Sequence, residues 1–262
     1  MNDDNYRKLN NDPLLFVLAE FRFSDVIDIK KFIPMLQDRF RKELPFHEEQ
    51  TSQEVNVNPH GLDIRESLQW AFLSQNRKSG IVLNHNRLVY MTSEYDRFEG
   101  FKQSCKNAVT ILAEEVDPTL LVRIGLRYAD LIVKKEDEDI TQYVQKPIYE
   151  IQHLKQFGTP MRHVNETLIK TEEGYLNIRS MFNVSNISTW SDVGSFPIKI
   201  NTVNESSERV LLDFDHFWEP EKQEDSLSFN TDTIINKLEK MHEPTRKAFW
   251  DSTTDLGREI WE

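Results

Sequence analysis

Three pairs of charged residues stand on segments with the alternating pattern of β-strands, and the two side chains of each pair share a strand face. They are Glu20 and Arg22, Arg123 and Arg127, and Asp213 and Asp215. A charged side chain in the middle of a strand costs free energy unless it is paired or reaches water. These six residues are therefore the candidates for a ligand-binding site.

Two interpretations of the six residues follow from their chemistry. In the structural interpretation, an arginine at position 123 or 127 forms a cross-strand ion pair with an aspartate at position 213 or 215. In the functional interpretation, they line a polar sheet face on which the arginines hold phosphate and the aspartates hold Mg²⁺ or Mn²⁺. Because the Asp-x-Asp spacing also occurs on strands by chance, the sequence leaves both interpretations open.

The chain lacks the short motifs of the best-known enzyme families. It has no G-x-x-x-x-G-K-[ST], G-x-G-x-x-G, H-E-x-x-H or G-x-S-x-G motif and no EF-hand loop. Its single cysteine, Cys105, lies on the apolar stripe of a predicted helix, where a buried hydrophobic role is expected. None of the seven histidines stands at metal-ligand spacing from another histidine or from the cysteine. We therefore predict no catalytic residue, no resident metal and no cofactor.

The end of the chain is acidic and aromatic, which predicts a surface for a protein partner. Residues 205–262 contain 15 acids and 7 bases and account for most of the net charge of −12. A basic protein surface fits this region better than nucleic acid, which the negative charge disfavours. The candidate partner residues are Glu219, Glu221, Glu224, Asp225, Trp250 and Trp261. The alternative for the two tryptophans is a place in the core, because the aromatic residues here recur at helical spacing.

The predicted elements divide the 262 residues into two halves, 1–133 and 140–262, which meet at the charge run Lys134–Asp139. Such a run indicates a solvated linker, although the two halves can also pack as a single domain. The first half shows five strand patterns, Leu14–Phe23, Leu68–Gln75, Gly80–Asn84, Arg87–Met91 and Leu120–Val133. Its helix patterns run from about Ser24 to Leu44 and from Tyr95 to Val116, and residues 46–62 are expected to form a loop. Pro34 fits the first of these helices if its regular part begins near Ile33, and otherwise kinks its first turn.

The second half is richer in strands. Its strand patterns are Arg162–Lys170, Tyr175–Val184, Pro197–Val203 and Arg209–Trp218. A helix with a kink or restart at Pro244 follows, and a short helix ends the chain. The order is β-α-β-β-β-α-β followed by β-β-β-β-α-α. It predicts an α+β fold with mostly antiparallel sheets and the helices packed on one side.

The distribution of apolar residues bears on location. No apolar run approaches the ~20 residues needed to cross a bilayer. The N-terminal residues Met1–Asn5 are polar and acidic, which is not typical of a signal peptide. The sequence therefore predicts a cytoplasmic protein with no membrane association. It leaves the oligomeric state open, and a homo-oligomer is compatible with it.

Five segments occur together in an order that resembles a bacterial family. They are Leu18–Phe23 (LAEFRF), Tyr95–Phe101 (YDRFEGF), Arg123–Asp130 (RIGLRYAD), Leu211–Asp215 (LLDFD) and Met241–Trp250 (MHEPTRKAFW). The family consists of conserved proteins of about this length and of sporadic distribution, with no agreed activity. RIGLRY is the most specific part of the resemblance, which covers nearly the whole chain. Pro244 departs from it, because the resemblance implies an uninterrupted helix there.

The resemblance implies genes on mobile or defence-associated islands, whose products are often antitoxin-like, immunity-like or adaptor proteins. Together with the acidic end of the chain, it leads us to expect a non-enzymatic bacterial binding protein. Its partner would be another protein, such as a toxin, a defence effector or a phage component. The alternative is a phosphate-binding protein, or a metal-dependent enzyme or sensor, that uses the polar sheet face.

Overall fold

The framework of the protein is a sheet of ten strands, all within the residues that the structure describes. The computed structural model describes residues 6–58, 61–135, 137–149, 156–191 and 197–262. The strands are β1 (Leu14–Phe23), β2 (Phe46–Asn58), β3 (Gly61–Leu73), β4 (Ser79–Leu83), β5 (Arg87–Thr92), β6 (Leu120–Val133), β7 (Arg162–Lys170), β8 (Tyr175–Ser185), β9 (Ser207–Trp218) and β10 (Leu227–Ser228). Their order is β2-β3-β4-β5-β1-β6-β9-β8-β7, with β10 paired to β6. Every one of these pairs is antiparallel.

Two long helices cover one face of this sheet. The helices are α1 (Ile33–Phe40), α2 (Phe98–Glu115), α3 (Lys146–Tyr149), α4 (Thr231–Ser252) and α5 (Asp255–Trp261). Helices α2 and α4 pack on each other, and α4 lies on β6 and β9. Side-chain caps fix where the last two helices begin, because Asn230 and Thr254 each accept a hydrogen bond from a backbone N–H of the first turn. No helix in the described part of the chain is long and apolar enough to cross a membrane.

The helix-covered face holds the main core. On β1, Val17, Ala19, Phe21 and Phe23 point into it. The apolar stripe of α2 meets them, and Cys105 is fully buried within that stripe, where burial raises the pKa of its thiol. The prediction that this cysteine acts as a small buried hydrophobic residue is thus confirmed.

The opposite face of the sheet is apolar at one end and polar at the other. The apolar end is a smaller core cluster that includes Phe16, Met91, Met181 and Leu211. The described residues 197–204 lie over this cluster and contribute Ile198. The alternate residues of β1 therefore pass from apolar Phe16 to the charged end of the same face, as its sequence pattern predicts.

The predicted α+β class, with a mostly antiparallel sheet and helices on one side, is confirmed. The bounds of β1, β6 and β7 are those that the alternation predicts. Ten residues of β6, from the first predicted half, pair with β9 from the second half. The sheet therefore continues across the predicted boundary, and the division at Lys134–Asp139 stays a prediction.

Two predictions of local structure were wrong. Residues 46–62 contain most of the β2–β3 hairpin rather than a loop, because a polar two-stranded ladder shows little apolar alternation. Residues 197–203 form no strand: they lie over the sheet as an irregular segment.

Of the kink or restart predicted at Pro244, the restart does not occur, because helix α4 runs through this residue. The proline deprives the carbonyl of Lys240 of its helical partner, but Lys240 is exposed, so water can supply the hydrogen bond.

The helix predicted between Ser24 and Leu44 is shorter in the structure. A turn of 3₁₀-helix at Ile29–Phe32 leads into α1. Pro34 occupies the first turn of α1, where its missing N–H costs nothing. The apolar residues of this segment thus have helical spacing, but only Ile33–Phe40 forms a regular α-helix.

Candidate functional site

The polar face of the sheet, opposite the helices, carries all six of the predicted ligand-binding residues. Alternation on β1 turns Glu20 and Arg22 away from the buried Ala19 and Phe21. The strand register places the other four residues, Arg123, Arg127, Asp213 and Asp215, on the same face of β6 and β9. Two groups form within this face, one around Glu20 and one around Asp213.

Three arginines stand side by side at the charged end of the polar face, and we call Arg87, Arg22 and Arg123 the arginine row. The register pairs Arg22 of β1 directly with Arg87 of β5 on one side and with Arg123 of β6 on the other. Like charges directly opposite on neighbouring strands destabilise a sheet. The row therefore requires compensating negative charge.

Glu20 supplies part of this negative charge from within the row. Its carboxylate lies 2.9 Å from Arg22 Nε, 3.0 Å from Arg123 Nε and 3.5 Å from Arg87 Nη1. The Glu20 side chain is 13% exposed, whereas that of Arg22 is 45% exposed. One carboxylate thus faces three guanidinium groups, and the outer side of the row is open to solvent.

Arg123 is held on several sides. Its Nη1 lies 3.2 Å from Oε2 of Glu219, and its Cζ lies over the ring of Phe217, 4.1 Å from the ring centre. This contact holds the guanidinium group against the ring, because a cation is attracted to the face of an aromatic ring. Glu219 belongs to the predicted partner surface, so the structure brings one of those residues to the edge of the polar face.

Asp213 forms the second group with two arginines. Arg127 donates to both of its carboxylate oxygens, from Nε at 2.7 Å and from Nη2 at 3.0 Å. Arg179 of β8 donates to Oδ2 from Nε at 2.8 Å and also from Nη2. Asp213 is completely buried. This group is the cross-strand ion pair of the structural interpretation, extended by one further arginine.

Asp215 lies between the two groups. Its Oδ2 is 3.9 Å from Arg123 Nη2, which is longer than a hydrogen bond. Burial raises the pKa of its carboxyl group; the charges of Arg123 and Arg127 oppose this, while those of Asp213 and Glu20 add to it. Burial thus favours the protonated form of Asp215.

These side chains surround a cavity of about 300 Å³, the polar pocket. Besides the arginine row, its walls include Glu20, Gln69, Gly125, Arg127, Pro197 and Asp215. A Cβ atom at Gly125 would lie 3.6 Å from that of Glu20, an ordinary contact. Gly125 therefore leaves space at this wall of the pocket, although its backbone conformation does not require a glycine. Four arginines and two carboxylic acids line the pocket, so it is basic although the whole chain carries −12.

The arrangement does not favour a metal at the two aspartates. The oxygens of Asp213 accept hydrogen bonds from guanidinium groups, which excludes a cation from the same positions. Among the described residues, no group of three or more His, Cys, Asp or Glu side chains is placed to hold a metal ion. The contacts thus support the phosphate half of the functional interpretation better than its metal half.

The predicted partner residues fall into two classes. The carboxylates of Glu221 and Glu224 are 80% and 77% exposed, near Lys170 and Lys222 respectively, and Asp225 is also exposed. The two tryptophans instead take the core alternative. Trp261 is 7% exposed and stacks on Tyr143, and Trp250 is half-buried against the ring of Tyr6.

Sequence reasoning missed three arginines that build the site. Arg87 and Arg179 reach it only through the strand order, which local patterns do not reveal. Arg209 is completely buried and donates to the carbonyls of Val203 and Glu205 and to the hydroxyl of Ser188. It thereby anchors the chain that leads from Pro197 to β9. Arg209 lies on the same alternating face of its strand as Asp213 and Asp215, and this shared face is the signal that could have identified it.

Comparison with known proteins gives no assignment: no protein-family model matches the chain, and no curated protein matches it. The function is therefore argued from the geometry of the polar face.

Proposed function

We propose that the protein binds a small anionic ligand, one that carries a phosphate group, in the polar pocket. The arginine row is the observation that supports this proposal. Guanidinium groups bind phosphate through paired, charge-assisted hydrogen bonds. An anion above the row would relieve the repulsion among the three arginines, which Glu20 compensates only in part.

The two groups of the polar face have different roles in this proposal. The group around Asp213 is buried and holds β6, β9 and β8 together. The arginine row is more exposed and has donors at the pocket surface. Asp215 and Gln69 complete the pocket with hydrogen-bonding groups suited to the hydroxyl groups of a phosphorylated compound. The function proposed is binding, in which the arginine row holds the phosphate group.

The test measures thermal stability and binding heat with inorganic phosphate, pyrophosphate and ATP, each without and with Mg²⁺. A ligand at 100 times its Kd should stabilise the native state by about 2.7 kcal/mol. The informative variant is the double substitution Arg22→Gln and Arg87→Gln. It should abolish the response to the anion without lowering the melting temperature of the free protein, because it removes like charges that face each other.

Arg41→Gln serves as the matched control, because Arg41 is an exposed arginine at the end of α1, paired with Asp38. This variant should respond to anions as the wild type does. If none of the anions stabilises the wild type, the proposal is wrong. It is also wrong if the double variant still responds to the anions. A lower melting temperature of the double variant would equally contradict it, because that result is expected if the arginine row is only a structural ion-pair network.

A second candidate is a protein partner with a basic surface, as the acidic end of the chain suggests. The exposed carboxylates of Glu221, Glu224 and Asp225 support it. Their reversal to lysine should weaken a basic partner captured from the cells of origin by at least tenfold, about 1.4 kcal/mol, while leaving the melting temperature unchanged. Unchanged capture would remove this candidate. The link to toxins, immunity or defence, the cytoplasmic location and a homo-oligomeric state stay predictions.

A further inference from the structure

A second cavity lies on the helix-covered face of the sheet, on the other side of β4 and β5 from the polar pocket. It opens between α2, the turn that follows α1, and these two strands. Its volume is about 490 Å³, larger than that of the polar pocket. Cavities that bind small molecules usually have about 300–1,000 Å³. We call it the helix-side cavity.

The floor of this cavity is apolar and aromatic. Phe40, Ile81, Tyr90 and Ile111 line it, and the ring of Tyr90 packs at 5.6 Å from that of Phe101. Aromatic and aliphatic surfaces of this kind receive a ring by dispersion and by the hydrophobic effect. The floor therefore favours a ligand that contains a ring.

The walls carry neutral hydrogen-bonding groups. Burial raises the pKa of the Tyr90 phenol, and the neighbouring hydroxyl groups of Ser104 and Ser79 oppose this shift. The Ser104 hydroxyl donates to the carbonyl of Gly100, and the Ser79 hydroxyl lies 2.7 Å from that of Thr92. Gln103 and Asn107 of α2 add two side-chain amides at the rim. Hydroxyl and amide groups both donate and accept, which suits the hydroxyl groups of a ligand.

The charges at the mouth are mostly negative. Arg39 is bound by Glu114 and Glu115, and Lys106 lies 3.6 Å from Asp232. Glu43 is the remaining charged residue of the lining. Four carboxylates thus stand against two cations, and this excess of negative charge repels an anion, in contrast to the polar pocket.

We propose that the helix-side cavity binds an uncharged ring compound that carries hydroxyl groups, of about the size of a nucleoside. The proposal is independent of the anion site, because no residue lines both cavities. The floor holds the ring, and the serine, tyrosine and amide groups receive the hydroxyl groups. The protein would then bind two ligands of different charge on the two faces of one sheet.

The test uses protein labelled with ¹³C at the isoleucine δ1 methyl groups and two uncharged probes, adenosine and phenyl β-D-glucoside. The methyl signals of Ile81 and Ile111, which line the cavity, should shift as either probe is added. The signal of Ile198, on the opposite face, should stay in place. Inorganic phosphate should shift neither cavity signal, which separates this site from the anion site.

Two variants block the cavity and one serves as their control. Ser104→Phe fills the space above Tyr90, and Asn107→Trp fills the rim, where the native side chain is exposed and folding is not at risk. Each should weaken probe binding by at least about tenfold, or 1.4 kcal/mol. Ser104→Ala removes only the hydroxyl group and should keep the methyl shifts with a smaller loss of affinity.

The proposal fails if neither probe shifts Ile81 or Ile111 up to its solubility limit. It also fails if the shifts persist in Asn107→Trp protein whose methyl spectrum is otherwise native. Shifts confined to Ile198 would place the probes on the polar face and would equally overturn the assignment.

Discussion

Arg127 of β6 donates two hydrogen bonds, 2.7 Å and 3.0 Å long, to the carboxylate of Asp213 on β9. Arg179 approaches the same carboxylate from β8. The Asp213 carboxylate is completely buried, and the two arginine side chains are only 12% and 15% exposed. These three residues therefore join three neighbouring strands, and they differ in role from the solvent-facing arginine row on the same face.

The first prediction concerns this buried group. Asp213→Asn should lower the free energy of unfolding by about 3–5 kcal/mol, because it removes the buried carboxylate charge to which both Arg127 and Arg179 donate. Arg127→Met should also destabilise. The double variant should lose less than the sum of the two, as coupled residues do. Urea unfolding of the four proteins at neutral pH measures the coupling.

Arg22→Gln is the control for this cycle, because Arg22 has the same charge on the same face but is largely exposed. It should change the free energy of unfolding by less than about 1 kcal/mol. Additive losses in the Asp213 and Arg127 variants would contradict the role given to the pair.

The second prediction concerns Glu219, whose carboxylate lies on Arg123 at 3.2 Å. It occupies a donor that an anionic ligand would use, so it competes with that ligand. Glu219→Gln should therefore raise the affinity for pyrophosphate about twofold, since a partly exposed ion pair is worth about 0.5 kcal/mol. Glu224→Gln, on the same acidic segment and 3.8 Å from Lys222, should leave the affinity unchanged in calorimetry. Equal affinities of wild type and Glu219→Gln would show that Glu219 does not compete.

The third prediction concerns His216, which is buried on the helix side of β9. Its Nδ1–H donates to the carbonyl of Met241, and its Nε2 accepts from the hydroxyl of Thr171, both at 2.9 Å. Burial lowers the pKa of His216; the Met241 carbonyl and Glu173 oppose this shift, and Lys237 adds to it. The folded protein therefore favours the neutral imidazole ring of His216, whereas the same ring in the unfolded chain binds a proton below about pH 6.5.

Stability should consequently fall as the pH drops below about 6.5, by up to 1.4 kcal/mol per pH unit from this group. His216→Asn keeps a donor for Met241 but cannot be protonated. It should be less stable than the wild type at pH 7.5, and the difference should shrink towards pH 5.5 in urea unfolding. A difference that is constant over this range would rule out the assignment.

Sequence patterns determine the strands that carry the site, but not how those strands meet. The alternation in Leu14–Phe23 predicts both the bounds of β1 and the face of Glu20 and Arg22, because one face of this strand is buried. The arginine row depends on the order β5-β1-β6, in which Arg87 and Arg123 are 36 residues apart in the chain. Such pairings are set by the whole sheet, so no local pattern predicts that three like charges will meet.

The misassigned segments have a related cause. The β2–β3 hairpin pairs thirteen residues on each side, yet much of its sequence is polar, so the apolar periodicity that predicts strands is weak there. Residues 197–203 have the opposite property. Their alternation of apolar residues arises because Ile198 and Ile200 pack down on the sheet, not because the backbone joins a ladder.

The last prediction concerns Asp130, a carboxyl group buried at 3% exposure beside the helix-side core. Within the described residues, its Oδ2 has no hydrogen-bond partner. Burial raises the pKa of Asp130 well above its usual value, and the nearby charges of Asp12 and Asp213 add to the rise. The folded protein therefore keeps this proton at a pH at which the unfolded chain has lost it.

Each pH unit above about 3.9, the ordinary pKa of aspartate, then costs up to 1.4 kcal/mol of stability until the folded pKa is reached. Asp130→Asn has nearly the same shape and carries no titrating proton. It should be more stable than the wild type at neutral pH, with an advantage that disappears towards pH 4, as measured by urea unfolding across that range. Asp225→Asn, at an exposed position, should show no such gain. Lower stability of Asp130→Asn at pH 7 would show instead that the folded protein stabilises the ionised carboxylate. The wild type would then gain stability relative to the variant as the pH rises.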